Sequence, residues 1–228
     1  VMGRKGLKAI AVRGTGELPV ADPERLRALL PKVRARSDRL LTPRLYRNVM
    51  RRSGTPYGLT TASRASRQAV RNYREGRNPW ASEISARQSR ERVWLRNLAC
   101  HSCRLSCKKC GVVKTGPFAH VVHDGPEFET GTMVGANLLV RDLEGMLATI
   151  QLGDDLGIDL ISLGNVLGFL MEAREHGYID VDGLDGIDLQ WGAVEPVLEM
   201  TRRIAARKGI GKLAARGVWA LSEELGPE

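Results

Sequence analysis

The sequence predicts a mainly α-helical domain with one short strand at its start, and three observations carry that reading. Apolar residues recur at helical spacing through the C-terminal half, at Leu138, Leu139, Leu143, Met146, Leu147 and Ile150, then at Ile161, Leu163, Val166, Leu167 and Leu170. Stop and start signals punctuate these stretches, with Gly157 and Gly177 where helices end and Asp22 and Asp159 where they begin. Alternation of the strand kind is read only in Leu7-Lys8-Ala9-Ile10-Ala11-Val12, which closes on Gly14-Thr15-Gly16.

Taken in order, Asp22-Pro23-Glu24 reads as an N-cap with proline at the first helical position. The helix that follows carries Leu26, Leu29, Leu30 and Val33 on one face. Residues 34–92 are rich in Arg and Ser, and Gly54-Thr55-Pro56-Tyr57-Gly58 breaks them into helices on either side. Gly125-Pro126 turns the chain into a further helix, and a strongly helical pattern runs on from Gly131 to Gly157. The helix capped by Asp159 ends at Gly177. An acidic loop, Asp180 to Asp188, imitates a calcium loop but lacks its closing Glu, so it reads as turns. Helices near 193–207 and 211–224 complete the chain, with Trp191 and Trp219 expected in the core.

Length and composition bound the function. A chain of 228 residues, 43% apolar and 27% charged, suits one globular domain with or without an extension. No window holds the roughly 18 uninterrupted apolar residues of a membrane span. The opening Val1-Met2-Gly3-Arg4-Lys5 has no apolar run behind its charges, so it reads as no secretory signal. Charge is uneven: residues 1–110 hold 26 Lys and Arg against 7 Asp and Glu, and residues 111–228 hold 9 against 19. A basic half suits phosphate-bearing cofactors or an acidic partner as well as nucleic acid. The scarcity of aromatics between the arginines argues against a nucleic-acid platform.

All four cysteines fall within eleven residues, Cys100-His-Ser-Cys103-Arg-Leu-Ser-Cys107-Lys-Lys-Cys110. Cysteines so close rarely reach disulfide geometry, whereas converging thiolates suit a soft metal or an iron–sulfur cluster. Structural zinc more often uses two well-separated pairs. C-x2-C-x3-C in one loop favours three corners of a cubane, with zinc and inert thiols as the weaker readings. Arg104, Lys108 and Lys109 would favour the thiolate form. His101, His120 and His123 lie nearby and are read as surface or supporting residues.

Several phrases in order then resemble the aldehyde ferredoxin oxidoreductase family. They are Val1-Met2-Gly3-Arg4-Lys5-Gly6-Leu7-Lys8-Ala9-Ile10-Ala11-Val12, Arg71-Asn72-Tyr73, the cysteine run, Gly125-Pro126-Glu127-Phe128-Glu129-Thr130, Asp154-Asp155-Leu156-Gly157-Ile158-Asp159 and Ile161-Ser162-Leu163-Gly164-Asn165. The resemblance implies a cytoplasmic enzyme that oxidises aldehydes to carboxylic acids at a tungsten (or molybdenum) bis-molybdopterin centre. Its electrons would pass through a [4Fe-4S] cluster to ferredoxin. Residues 1–20 would be the tail of a β-rich pterin-binding domain and 21–228 a helical domain. The family's third domain would lie outside this sequence, and a homodimer is compatible.

The resemblance assigns Cys100, Cys103 and Cys107 to the cluster and leaves Cys110 as an extra thiol. It assigns Asp154, Ile158 and Asp159 to a pterin contact, Ile158 standing where leucine is usual, and Glu129 to proton handling near the metal. Carboxylates are strong acceptors for pterin N–H groups, and Glu129 enters a helix behind a Gly-Pro turn, a place suited to a pocket wall. The plainer readings are that Asp159 is an N-cap, Asp154 an exposed helix end, and Glu127 and Glu129 first-turn acids. A different class remains as the alternative: a non-catalytic zinc- or cluster-binding module whose basic half binds nucleic acid or an acidic partner.

Overall fold

The structure, a computed structural model, describes residues 3–225; Val1 and Met2 of the opening phrase lie outside them. The chain divides into two compact units, Val1–Arg44 and Leu45–Glu228. The first holds a single 3-10 turn, Gly3–Lys5, and helix α1, Pro23–Arg39. Asp22 caps α1 as expected, its carboxylate accepting the Arg25 N–H at 2.9 Å. Residues 7–12 form no strand. Alternation makes a segment competent to pair, but a strand exists only where a neighbour takes its N–H and C=O groups. Among the described residues no neighbour does so.

The second unit is mainly helical, as predicted. Helices α2 (Leu41–Ser53), most of which belongs to this unit, and α3 (Tyr57–Arg64) flank the glycine-proline break, and α4 (Ala86–Arg92) follows. A three-stranded antiparallel sheet comes next, with β1 (Trp94–Leu98), β2 (Lys108–Val112) and β3 (Val122–His123) in spatial order β1-β2-β3. This sheet corrects the expectation of helices alone. Helices α5 (Phe128–Met133), α6 (Leu143–Leu156), α7 (Leu160–Glu175), α8 (Val194–Ala206), α9 (Gly211–Ala214) and α10 (Val218–Leu225) complete the unit.

The apolar pattern from Gly131 onward is not one helix. A 3-10 turn at Ala136–Leu138 and a left-handed Leu139 (φ 56°) separate α5 from α6, and Asp142 caps α6. The expected 211–224 helix is likewise split, because Gly217 (φ 93°) turns the chain between α9 and α10. The core lies where α6, α7 and α8 meet, with Met146, Leu147, Leu163, Leu167, Leu170 and Met200 at 2% exposure or less. Burying each such side chain contributes about 1.5–3 kcal/mol, and this layer holds the functional surface in place. Trp191 packs partly against the core, but Trp219 is 76% exposed, against expectation. No single helix among the described residues is long and apolar enough to cross a membrane.

Candidate functional site

The cysteines occupy the tip of a β-hairpin. β1 pairs with β2 in antiparallel register, Arg96 opposite Cys110 and Leu98 opposite Lys108, so residues 99–107 form the connection. Left-handed Ser102 (φ 57°) and Ser106 (φ 50°) bend it twice, and the Cys103 N–H donates to Cys100 O at 3.0 Å. Cys100 and Cys103 are exposed, Cys107 and Cys110 half-buried, and all four are free thiols. The donor set fits a thiophilic metal or cluster, since three thiols share one short, solvent-open loop flanked by lysines. The sulfurs stand apart, however. Among the described residues no three His, Cys, Asp or Glu side chains are gathered to hold a metal ion.

Lys109 fixes the hairpin to the helices behind it. It is only 2% exposed, and its Nζ donates to Arg51 O at 2.9 Å and Met50 O at 3.2 Å at the end of α2. Its ammonium also lies 5.5 Å from the centre of the Trp94 ring. Burial pushes its pKa below the usual lysine value, with Cys107 and Glu127 opposing that shift. Gly54 is required beneath it, since a Cβ there would stand 2.6 Å from Cys107 O and the residue has φ 63°. A buried ammonium facing helix C-terminal carbonyls complements the helix dipole.

On its other side the hairpin faces α6 across a groove of about 570 Å³, whose walls include Lys108, Cys110, Asp124, Glu127, Asp154 and Leu160. Lys108 and Asp124 form an ion pair, and the hydrogen bond within it is the main cause of a raised Lys108 pKa. Asp154 is pushed above the usual carboxylate value, first by partial withdrawal from water and then by Asp124. Lys108 works against that shift. Asp154 is exposed in the last turn of α6, so its plainer reading as an exposed helix end is met, and its neighbours in the groove include the Lys108 ammonium and the Cys110 thiol.

Beyond Asp154 the chain turns through 118° between α6 and α7. Gly157 (φ 68°) ends α6 in the left-handed conformation, and the Ile158 N–H closes back on Gly153 O at 2.9 Å. Ile158 packs partly against the core. Asp159 caps α7, its Oδ1 accepting the Ser162 N–H at 2.7 Å. Hydrogen bonds from Ser162 hold its carboxyl below the usual value. The plainer reading of Asp159 as an N-cap is therefore met, and its exposed carboxylate keeps lone pairs for a further donor.

The two glutamates differ. Glu127 belongs to the groove and accepts a hydrogen bond from the Thr55 hydroxyl, while Phe128 N–H donates to that same hydroxyl at 3.0 Å. Glu129 is exposed on the first turn of α5, outside the groove. Asp154 and the base of the cysteine hairpin thus share a groove, Ile158 and Asp159 lie at the corner beside it, and Glu129 stands apart. Sequence reasoning did not mention Asp124, and it read Lys109 only as a cation beside the thiols, His123 as surface or supporting, and Glu127 as a first-turn acid. His123 is 2% exposed, not on the surface. Its Nδ1 lies 2.9 Å from Gly125 O, which leaves Nε2 buried without a partner. Burial lowers its pKa. Residue type gave no signal for Lys109, since the buried positions of β2 are a lysine and a glycine.

Comparison with known proteins adds an independent line. The family model described as "Aldehyde ferredoxin oxidoreductase, domains 2 & 3" matches residues 33–228. A tungsten-containing aldehyde ferredoxin oxidoreductase of Pyrococcus furiosus is 31% identical over 227 residues, covering 99% of this chain and 36% of the relative. The WOR-like subunit of an aliphatic sulfonate oxidoreductase from the same organism is 31% identical over 221 residues, covering 96% and 34%. The chain therefore spans about a third of the length of the curated relatives it matches. Among solved structures, the active-site complex BamBC of benzoyl coenzyme A reductase, in complex with 1,5-dienoyl-CoA, superposes with a TM-score of 0.72. That match is 23% identical and covers 99% of this chain and 34% of the other, so it speaks to fold alone.

Proposed function

The chain belongs to the aldehyde ferredoxin oxidoreductase family, and from that premise we propose that it is the central part of a cytoplasmic enzyme oxidising aldehydes to carboxylic acids. Its site would use a tungsten (or molybdenum) bis-molybdopterin centre and a [4Fe-4S] cluster, with ferredoxin as electron acceptor. The observation that carries this reading is the shared groove: Cys110 and Lys108 at the base of the hairpin face Asp154 at the end of α6. Cys100, Cys103 and Cys107 would sit on the loop beyond this hairpin base and outside the groove itself, with the pterin-assigned Asp154 on the facing helix.

Cys100, Cys103 and Cys107 would hold the cluster, the lysines beside them offsetting its negative charge. Asp154 and Asp159 would accept pterin N–H groups, and Ile158 would press the corner against the core. The metal centre, when bound, supplies the two-electron oxidation of the aldehyde carbon. Oxidation to the acid also requires water to supply the second oxygen and protons to be removed, and Glu129, exposed on the first turn of α5 and outside the groove, would accept one of them.

The test is anaerobic reconstitution of the chain with iron and sulfide. The wild type should take up both and gain broad visible absorbance. Cys103→Ser should lose most of its iron, as should Cys100→Ser and Cys107→Ser, while Cys110→Ser should lose much less. A colourless protein that binds only zinc would refute the cluster assignment. Equal iron loss in Cys110→Ser and Cys103→Ser would point to a self-contained four-cysteine site.

A further inference from the structure

Arg71, Asn72 and Tyr73 lie outside the groove and outside the roles assigned above. All three have positive φ, 50°, 51° and 64°. Left-handed non-glycine residues occur singly in most folds, and a bulky side chain there carries a steric penalty. Three in succession persist only where the surroundings over-determine them, and such strain clusters at functional sites.

The surroundings do hold this turn. Asn137, fully buried, receives the Asn72 N–H on its backbone carbonyl and the Tyr73 N–H on Oδ1, both at 3.2 Å. Its own Nδ2 donates to Gly164 O at 3.3 Å, tying the turn to α7. Asn72 donates to Glu172 at 2.5 Å, and Arg71 and Arg74 both pair with Glu175. Gly168 makes the approach achievable, since a Cβ there would stand 3.0 Å from the Asn137 amide and 3.1 Å from Asn72 Oδ1.

This scaffold leaves Tyr73 60% exposed. Among the described residues its hydroxyl donates to the Met133 sulfur, at 3.6 Å. A thioether is a weak acceptor, so the phenol keeps a donor for a better one. Met133 is four residues after Glu129 on α5, and residues four apart share a helix face. Tyr73 therefore projects from a rigid turn onto the face that carries Glu129.

We propose that Tyr73 contacts the substrate: its hydroxyl donates a hydrogen bond to an oxygen of the aldehyde or of the carboxylate product, and its ring offers an apolar wall to the organic substituent. This rests on the reading of Glu129 as the proton acceptor beside the reacting carbon. If the turn served only to hold its arginines against Glu175, the tyrosine hydroxyl would be dispensable.

The test uses the whole enzyme carrying this segment and the variant Tyr73→Phe, which keeps the ring and removes only the hydroxyl. Tungsten and iron content and Tm should match wild type. kcat/KM for benzaldehyde should fall about 10–100-fold, within the range for losing a donor to a developing oxyanion. The Kd of benzoate, read by titration calorimetry, should rise about 3–10-fold, as for one lost hydrogen bond. Wild-type kinetics together with unchanged benzoate affinity would overturn the proposal. Loss of tungsten in Tyr73→Phe would overturn it too, placing the hydroxyl on the pterin. Benzoate binding needs no turnover, so weakened binding in an enzyme inactive on every aldehyde would sustain Tyr73 while refuting the aldehyde reading. Absence of both benzoate binding and aldehyde turnover in the wild type would overturn both.

Discussion

Replacing Lys109 with methionine tests whether the hairpin is held by a buried charge. The substitution keeps an unbranched chain in a site that is 2% exposed and removes the ammonium. Lost with it are the hydrogen bonds to Arg51 O at 2.9 Å and Met50 O at 3.2 Å, and the contact over Trp94. Met50 O also accepts the Gly54 N–H at 2.9 Å, so the Arg51 carbonyl is the group that loses its described partner. Hydrogen bonds to charged groups contribute about 1.5–3 kcal/mol each, and the cation–π contact about 0.5–2 kcal/mol. Against these stands the cost of desolvating an ammonium, several kcal/mol, which the lowered pKa of Lys109 records. The net loss should be about 1–3 kcal/mol, or roughly 2–12 °C in Tm for a chain of this length. Thermal unfolding followed by circular dichroism measures it. The pH dependence has a definite sign. Because the folded pKa lies below 10.5, the folded state binds fewer protons than the unfolded state in the window beneath that value. Wild-type stability therefore rises with pH there, and the gap to Lys109→Met should widen as pH approaches 10.5. A Met variant as stable as wild type at every pH would refute the reasoning, since buried charges can be replaced by apolar groups without loss.

Other expectations follow from the same geometry. His123 has a folded pKa below 6.5, so its neutral form contributes stability that is lost as pH falls below that value. Acid-induced loss of Tm below pH 6.5 should be smaller in His123→Asn than in wild type, and an identical loss would place the acid sensitivity elsewhere. Asp159→Ala removes the cap that receives the Ser162 N–H and should cost about 0.5–2 kcal/mol in denaturant unfolding. In the whole enzyme the same variant should purify with less tungsten and pterin. Glu129→Gln, by contrast, should keep its metals while kcat falls by roughly 10²–10⁴, the range for losing a general base. Retained tungsten in Asp159→Ala and lost tungsten in Glu129→Gln would reverse the two roles.

What the sequence disclosed and what it hid divide along a physical line. Local rules reached the capped helices: Asp22 and Asp159 cap as read, Gly157 and Gly177 turn left-handed, and the break after Ser53 falls between α2 and α3. The sheet escaped because its strands are only two to five residues long, neither β1 (Trp-Leu-Arg-Asn-Leu) nor β2 (Lys-Lys-Cys-Gly-Val) alternates apolar with polar, and the two pair across a nine-residue loop. Lys109 reads in sequence only as a cation beside the thiols and His123 as a surface or supporting residue, yet both are buried because tertiary neighbours supply their partners: two carbonyls for Lys109 and one for His123. The cysteine run, Asp154 and the corner after it were legible as a candidate site. That Asp154 shares a groove with the hairpin was not, because the approach of α6 to β3 is a packing event with no short-range signature.

Helix α7 acts as a ruler for this surface. Its first turn holds Asp159, Gly164 abuts the Met133 backbone on α5, Gly168 abuts the left-handed turn, and Glu172 and Glu175 clamp that turn at the far end. At about 1.5 Å per residue, these stations are fixed along a single rod of roughly 24 Å. One residue inserted between Asp159 and Gly164 would rotate everything beyond it by about 100°, swinging Gly164 and Gly168 away from the backbones they admit. Every one of these side chains would still be present in the sequence, yet the corner at Asp159 and the turn at Asn72 would no longer keep their spacing and direction along one helix. In this segment, drift in the length of α7 should therefore be tolerated far less than drift in the residues on its solvent side.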